Sequence, residues 1–150
     1  MNYSALIIGG GVAGMQCALV LGSAKKKAFA TDKQIGILLH QKASQLQNAL
    51  FHNVLGLPSG TLGRTILSEG KEQLAALYPT ISQIENEKVL AVTEHENGYK
   101  VTTNKKDYFS EIVILALNYA KPFHIKGLES YVIPHERAAP AKDRIQLKNK

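Results

Sequence analysis

The stretch ALIIGGGVAGMQCALVLG, residues 5–22, decides the fold of this 150-residue chain. Its first four residues, with Ser4, form the short apolar run that is typical of a fully buried strand in a parallel sheet. Gly9, Gly11 and Gly14 then satisfy the pattern G-x-G-x-x-G, and no helix breaker follows before Lys25. The stretch therefore predicts a buried strand, a tight turn and an α-helix.

This glycine pattern is the one that binds the diphosphate of a dinucleotide. Gly9 permits the tight turn, Gly11 lets the backbone approach a pyrophosphate, and Gly14 lets the helix pack against the strand. The free N–H groups and the dipole at the helix N-terminus favour phosphate. Residues 28–31 (AFAT) predict a second strand that ends at Asp32, about 20 residues on, where a carboxylate would bind ribose hydroxyls. We therefore predict dinucleotide binding; the alternative is a glycine-rich turn with an incidental surface aspartate.

The rest of the chain predicts one more helix and a series of strands. Residues 34–60 show no regular pattern, and a helix from Thr61 or Gly63 to about Tyr78 is stopped by Pro79. Strands are predicted at residues 80–84, 88–95, 98–103, 107–110 and 112–117, with a hairpin turn at Asn97-Gly98. Successive strands replace the alternating helices and strands of an NAD-type domain. The fold class is therefore α/β, a Rossmann-like FAD/NAD(P)-binding domain whose parallel sheet has a β-meander crossover.

The composition excludes several classes of protein. Hydrophobic residues make up 45% and charged residues 20% of the chain, which excludes a disordered protein. The single cysteine, Cys17, excludes an internal disulfide, a multi-thiolate metal site and an internal dithiol redox pair. Within the first helix it is predicted to pack as a small apolar side chain. Histidines do not occur at metal-ligand spacing, so no metal site is predicted, and no catalytic residue can be assigned.

The charge distribution favours an anionic ligand. The net charge is +6, and residues 1–68 carry six Lys or Arg residues against one acid, Asp32. Basic and aromatic residues are not interleaved as in nucleic-acid-binding proteins, so nucleic acid is not predicted as a partner. The uncharged run at residues 3–24 has no preceding Lys or Arg and is broken by glycines. We therefore expect no signal sequence and no membrane association, and a cytoplasmic protein.

Several linked motifs give the chain a family resemblance. NVLGLPSGTLG, residues 53–63, is similar to the loop Asn-x-x-Gly-x-Pro-x-Gly-x-x-Gly, and ILSEGKEQLAALYP follows it. Residues 88–117 are similar to a meander and the strand after it. Together with residues 5–22, these motifs resemble the FAD-binding domain of the thioredoxin reductase-like family, among the flavin-dependent pyridine nucleotide–disulfide oxidoreductases. The resemblance spans about residues 3–128.

This resemblance implies FAD as the cofactor and gives roles to individual residues. The assigned residues are Gly9, Gly11, Val12, Ala13 and Gly14 at the pyrophosphate, Asp32 at the adenosine ribose, Lys33 at the adenosine end, the backbone of Val89 at the adenine, Asn53 on the flavin side, and Ala116 at a second phosphate-proximal turn. His52 would hydrogen-bond the flavin or act as an acid or base. The alternatives are a turn residue for Asn53, strand core for Val89 and a loop histidine for His52.

The chain also departs from the family. Residues 116–118, Ala-Leu-Asn, replace Ala-Thr-Gly, and the family's Cys-x-x-Cys pair, NADPH-binding domain and Gly-Asp segment do not occur in these residues. We expect residues 1–132 to form the FAD-binding domain and residues 133–150 a basic tail.

Three functions stay open at this point. The first is an FAD-binding flavoprotein with a redox role, by electron or hydride transfer, whose donor is NAD(P)H or a protein. In that case a homodimer or a partner chain would complete the site, as in one half of a split flavoenzyme. The second is a non-catalytic module that binds FAD or another nucleotide. The third is a residual fold without a cofactor that serves only in assembly.

Overall fold

A computed structural model describes residues 2–40, residues 45–117 and Lys126. The predicted tail at residues 133–150 lies outside the described residues, as does Asn118. The helices and strands are β1 (Asn2–Ile8), α1 (Val12–Ala24), β2 (Ile35–Leu39), β3 (Leu50–Phe51), β4 (Thr61–Leu62), α2 (Gly63–Leu77), β5 (Ser82–Glu85), β6 (Val89–His95), β7 (Gly98–Thr103) and β8 (Asp107–Leu115), with short 3₁₀ helices at Ala28–Ala30 and Gln45–Asn48.

The main sheet combines a parallel part with a β-meander. Its strand order is β5-β2-β1-β8-β7-β6. The pairs β5–β2, β2–β1 and β1–β8 are parallel, whereas β8–β7 and β7–β6 are antiparallel. The predicted α/β, Rossmann-like fold with a meander crossover is therefore confirmed. The two strands predicted at residues 107–110 and 112–117 are wrong as separate elements, because β8 runs unbroken from the meander into the parallel part.

Side-chain alternation along β1 builds a three-layer core. Leu6 and Ile8 belong to a cluster with the meander residues Val92 and Val101 on one face of the sheet. Ile7 belongs to the cluster on the opposite face, where α1 and α2 pack. The uncharged run at residues 3–24 is thus a buried strand, a turn and a helix, as the sequence predicts.

The predicted second strand at residues 28–31 is wrong. Ala28–Ala30 form a 3₁₀ turn, and the second strand is β2, within the region predicted to be irregular. All five residues of β2 are buried. Gly36 interrupts its apolar run for a physical reason, since a Cβ there would lie 2.8 Å from Cε1 of Tyr3. A glycine inside a strand marks such a close approach but weakens the sequence signal. As a consequence, Asp32 precedes β2 rather than ending it.

A buried polar cluster closes the meander. Glu87 is 6% exposed, and its Oε2 accepts a hydrogen bond of 2.8 Å from Oγ1 of Thr103. The same Oγ1 accepts the backbone N–H groups of Lys105 and Lys106, both at 3.1 Å. Burial raises the pKa of the Tyr108 phenol, and the nearby carboxylate of Glu87 raises it further. The hydroxyl of Thr103 therefore hydrogen-bonds to three polar groups, which are the buried carboxylate of Glu87 and two backbone N–H groups of the turn.

Replacing this hydroxyl by a methyl group is expected to destabilise the chain. Thr103→Val should lower the free energy of unfolding by about 1–3 kcal/mol, because the buried Glu87 carboxylate loses its donor. Urea denaturation followed by circular dichroism measures the change. Thr103→Ser keeps the hydroxyl and should stay within about 1 kcal/mol of the wild type. Equal losses in the two variants would show that the hydrogen bonds contribute little.

Candidate nucleotide-binding site

The glycine turn, residues 9–14, joins β1 to α1 in a conformation that requires glycine at positions 9 and 14. Gly9 has φ +125°, a region that L-residues rarely adopt, and a Cβ there would overlap the carbonyl oxygen of Ala116. A Cβ on Gly14 would overlap the carbonyl oxygen of Gly9. The backbone N–H of Gly9 donates to the carbonyl of Leu38 at 3.2 Å, and that of Ala116 donates to the carbonyl of Ile8 at 2.9 Å. The turn is thus held between β2 and β8.

The first turn of α1 faces outward without a side-chain cap. Its N-cap is Gly11, with φ −79° and ψ −178°, and no side chain hydrogen-bonds to the cap. Val12 and Ala13 are exposed. The backbone N–H groups at the start of a helix lack intrahelical partners, and the helix dipole adds positive potential there. The end of the turn therefore has the donors and the field that bind an anion.

The turn lies at the carboxyl edge of the sheet, the edge where β1, β2, β5 and β8 end. In open α/β sheets, ligands bind in the crevice outside this edge. A Cβ on Gly70 of α2 would lie 3.0 Å from the sulfur of Met15 near the start of α1, and one on Gly22 near the end of α1 would lie 2.5 Å from the ring of Tyr78, which follows α2. The two helices therefore run in the same direction, and both start on this side of the sheet. The structure thus brings the glycine turn and Ala116 together at the crevice.

Two predicted site residues lie at the opposite edge. Asp32 and Lys33 precede β2, which rises about 16 Å before it reaches the glycine turn. Both are exposed, and Nζ of Lys33 pairs with Oε2 of Glu111 at 3.5 Å. The position predicted for Asp32, at the end of the second strand, is therefore wrong. The residue that follows β2 is His40. It was missed from the sequence because Gly36 interrupts the apolar run of β2, so that the strand was not recognised.

The remaining candidates lie on the carboxyl side of the sheet. Val89, 8% exposed, packs in one cluster with Ile8 and Leu38, near the ends of β1 and β2. Its side chain is strand core, the alternative considered from the sequence. His52 and Asn53 are exposed in the loop between β3 and β4, which leads into the start of α2. Nδ1 of His52 lies 3.0 Å from Oγ of its loop neighbour Ser59.

Cys17 packs against the helix-side core, and its burial raises the pKa of the thiol, which disfavours the reactive thiolate. Within residues 2–40 and 45–117, no group of three or more His, Cys, Asp or Glu side chains could hold a metal ion. No helix in that part of the chain is long and apolar enough to cross a membrane.

Solved structures of an oxidoreductase and of thioredoxin reductases are similar to this chain. No family model matches the chain, and no curated protein matches it. An oxidoreductase from Agrobacterium tumefaciens is 27% identical, with a TM-score of 0.60, over 77% of this chain and 36% of that one. A thioredoxin reductase from T. acidophilum is 22% identical, with a TM-score of 0.64, over 87% and 40%. A ferredoxin-flavin thioredoxin reductase from Clostridium acetobutylicum is 22% identical, with a TM-score of 0.58, over 81% and 40%.

The chain thus spans 36–40% of the length of these solved structures. The resemblance stated from the sequence is confirmed: the structural neighbours of this chain are thioredoxin reductase-like oxidoreductases, and the chain has the fold of the part of them that it covers.

Proposed function

We propose that the chain is an FAD-binding flavoprotein module with a redox role. The observation that supports this proposal is the uncapped helix start behind a glycine turn, placed at the carboxyl edge of a parallel sheet. The likeness to the ferredoxin-flavin reductase supports a flavin as the bound group. The basic character of residues 1–68 supports an anionic ligand.

The residues at the turn fit the diphosphate of FAD. The backbone N–H groups at Gly11, Val12 and Ala13 would bind the phosphates, and Ala116, which follows β8, would bound the site. The loop with Asn53 would approach the flavin side. The ribose end does not fit in the same way, because Asp32 lies at the other edge of the sheet. When bound, the flavin supplies electron or hydride transfer, and the chain supplies binding and orientation.

The electron donor in this proposal is NAD(P)H or a protein, and the site is completed by a second copy or a partner chain. With one cysteine, the chain cannot hold an internal dithiol of its own. That count favours a second candidate, a module that binds FAD or another adenine nucleotide without catalysis. Bleaching of the flavin absorbance on addition of NADPH would separate the redox role from the binding role.

Gly11→Val is the variant that tests the proposal at the phosphates. The backbone of Gly11 has φ −79° and ψ −178°, an extended conformation open to valine, so the variant should fold. Its side chain would occupy the space into which a diphosphate must come. We expect the affinity for FAD to fall at least tenfold, which corresponds to about 1.4 kcal/mol. Quenching of flavin fluorescence during titration measures the affinity.

A matched control is Gly70→Ala in α2. A Cβ there meets only the flexible end of Met15, and FAD affinity should not change. Circular dichroism checks that all variants are folded. Wild-type protein that shows no flavin spectrum after purification or titration would refute the proposal. Unchanged affinity in folded Gly11→Val would place the flavin away from the glycine turn.

A further inference from the structure

A histidine follows β2 at the carboxyl edge, where dinucleotide-binding folds of this type carry a carboxylate. The N–H of Gly9 donates to the carbonyl of Leu38 at 3.2 Å, and a Cβ on Gly10 would lie 2.6 Å from Cδ2 of Leu39. The chain beyond Leu39 therefore starts directly beside the glycine turn. Its first residue is His40, whose side chain is exposed.

Within residues 2–40 and 45–117, the carboxylates near this edge have other partners. Glu85, the last residue of β5, forms an ion pair with Lys71 of α2. Glu87 is buried and accepts the hydrogen bond of Thr103 at 2.8 Å. Neither of these two carboxylates thus takes the position that His40 occupies beside the glycine turn.

A carboxylate at this position has two effects on the ligand. It accepts hydrogen bonds from the ribose hydroxyls, and its charge repels a phosphate on the same ribose. Neutral imidazole has one donor and one acceptor and carries no negative charge. It can therefore bind a hydroxyl or donate to a phosphate oxygen. Discrimination between partners often depends on a repulsive group, and the side chain of a histidine does not repel a phosphate.

We infer that His40 makes the adenosine end of this site accept a ribose with a 2′-phosphate. Adenine nucleotides with and without that phosphate then bind with similar affinity. The inference rests on the proposed function, because it concerns the ribose end of the same nucleotide site. It names a specificity-determining residue and a ligand class, the 2′-phosphorylated adenine nucleotides.

Isothermal titration calorimetry of the full chain with ADP and with 2′-phospho-ADP tests this inference. For the wild type, we expect the two dissociation constants to agree within about threefold. His40→Glu restores a carboxylate next to the glycine turn. It should shift the ratio at least tenfold in favour of ADP, because the new charge repels the 2′-phosphate. Both nucleotides should also compete with FAD in the wild type.

His95→Glu is the matched control. It makes the same change of charge at an exposed position at the end of β6, where the hairpin packs beside Asn2 and Tyr3 at the opposite edge of the sheet. Its ratio should equal that of the wild type. A wild type that binds ADP but rejects 2′-phospho-ADP by tenfold or more would overturn the inference and leave the proposed function intact. So would an unchanged ratio in His40→Glu. Binding of FAD without binding of either nucleotide would also overturn the inference, whereas failure of FAD itself to bind would refute the proposed function.

Discussion

Gly14→Ala is expected to abolish the native fold. A Cβ on Gly14 would overlap the carbonyl oxygen of Gly9 and lie 3.0 Å from its carbonyl carbon and 3.3 Å from Cβ of Ala116. All three atoms belong to the backbone or are bonded directly to it, in a turn that β2 and β8 already hold, so the clash cannot relax by a change of rotamer. We expect a loss of more than about 4 kcal/mol, comparable with the whole stability of a small domain. Circular dichroism and thermal unfolding measure the effect.

Gly70→Ala gives the comparison that isolates the clash. Both substitutions add one methyl group to a helix, and in a helix interior alanine is favoured over glycine by about 1 kcal/mol. At Gly70 the nearest atom is the sulfur of Met15, 3.0 Å from the new Cβ, on a flexible side chain. Gly70→Ala should therefore stay within about 1 kcal/mol of the wild type. A Gly14→Ala protein that melts at the wild-type temperature would show that α1 can move away from the turn.

The two variants of the glycine turn have different consequences. Gly9 and Gly14 are required by contacts within the chain, whereas Gly11 adopts a backbone conformation that other residues allow. Loss of folding at Gly14 and loss of FAD binding at Gly11 would separate packing from ligand binding in one motif. The sequence pattern alone cannot make that separation.

The strength of local signals decided which elements the sequence predicts correctly. The strand, turn and first helix follow from a glycine pattern that tolerates few alternatives, and α2 ends just before Tyr78-Pro79, as predicted. The hairpin at Asn97-Gly98 was also predicted, although the residue with positive φ is Glu96, at 46°. Gly98 is a glycine because a Cβ would overlap the carbonyl oxygen of Ser110 in β8. That reason is tertiary and cannot be derived from a turn pattern.

The error at β2 shows where tertiary contacts override local patterns. The run AFAT, residues 28–31, is followed by Asp32, which fits the expected ribose-binding acid, whereas the observed strand β2 contains Gly36. The pairing of Gly36 with Leu6 in β1, and its contact with Tyr3, fix the register. One misplaced strand put Asp32 at the carboxyl edge of the sheet in the prediction, whereas the residue that follows β2 at that edge is His40. The positions of Ala116 and Val89 did not depend on β2.

A lone monomer of this chain is expected to bind FAD weakly. The second half of β8 is paired with β1, but no strand of the described residues pairs with its other edge, because β7 pairs only with residues 107–110. Ile112 is 56% exposed and Leu115 is 38% exposed along this part. Val12, at the start of α1, is 44% exposed. Apolar surface is therefore uncovered on the side of the site that β8 bounds.

Flavin surface that is left uncovered has an energetic consequence for the cofactor. Each 100 Å² or so of apolar flavin surface left in water forgoes about 2.5 kcal/mol. That amount corresponds to a roughly sixtyfold larger dissociation constant, and therefore to weaker binding. The glycine turn should still form in the monomer, since its strand, turn and helix are adjacent in sequence. We therefore expect FAD affinity to increase when a second copy or a partner chain covers the exposed part of β8.

Light scattering combined with flavin titration measures this dependence. If the second copy is the cover, bound FAD per chain should rise with protein concentration together with the apparent mass. Ile112→Glu, which puts a charge on the exposed part of β8, should then lower both, while Leu77→Glu, an exposed apolar position at the end of α2, should lower neither. If a partner chain is the cover, the isolated protein should bind FAD weakly at every concentration. A strict monomer that retains stoichiometric FAD through dilution and dialysis would contradict the prediction. It would mean that this chain's own residues beyond β8 close over the flavin, so that the site needs no second chain.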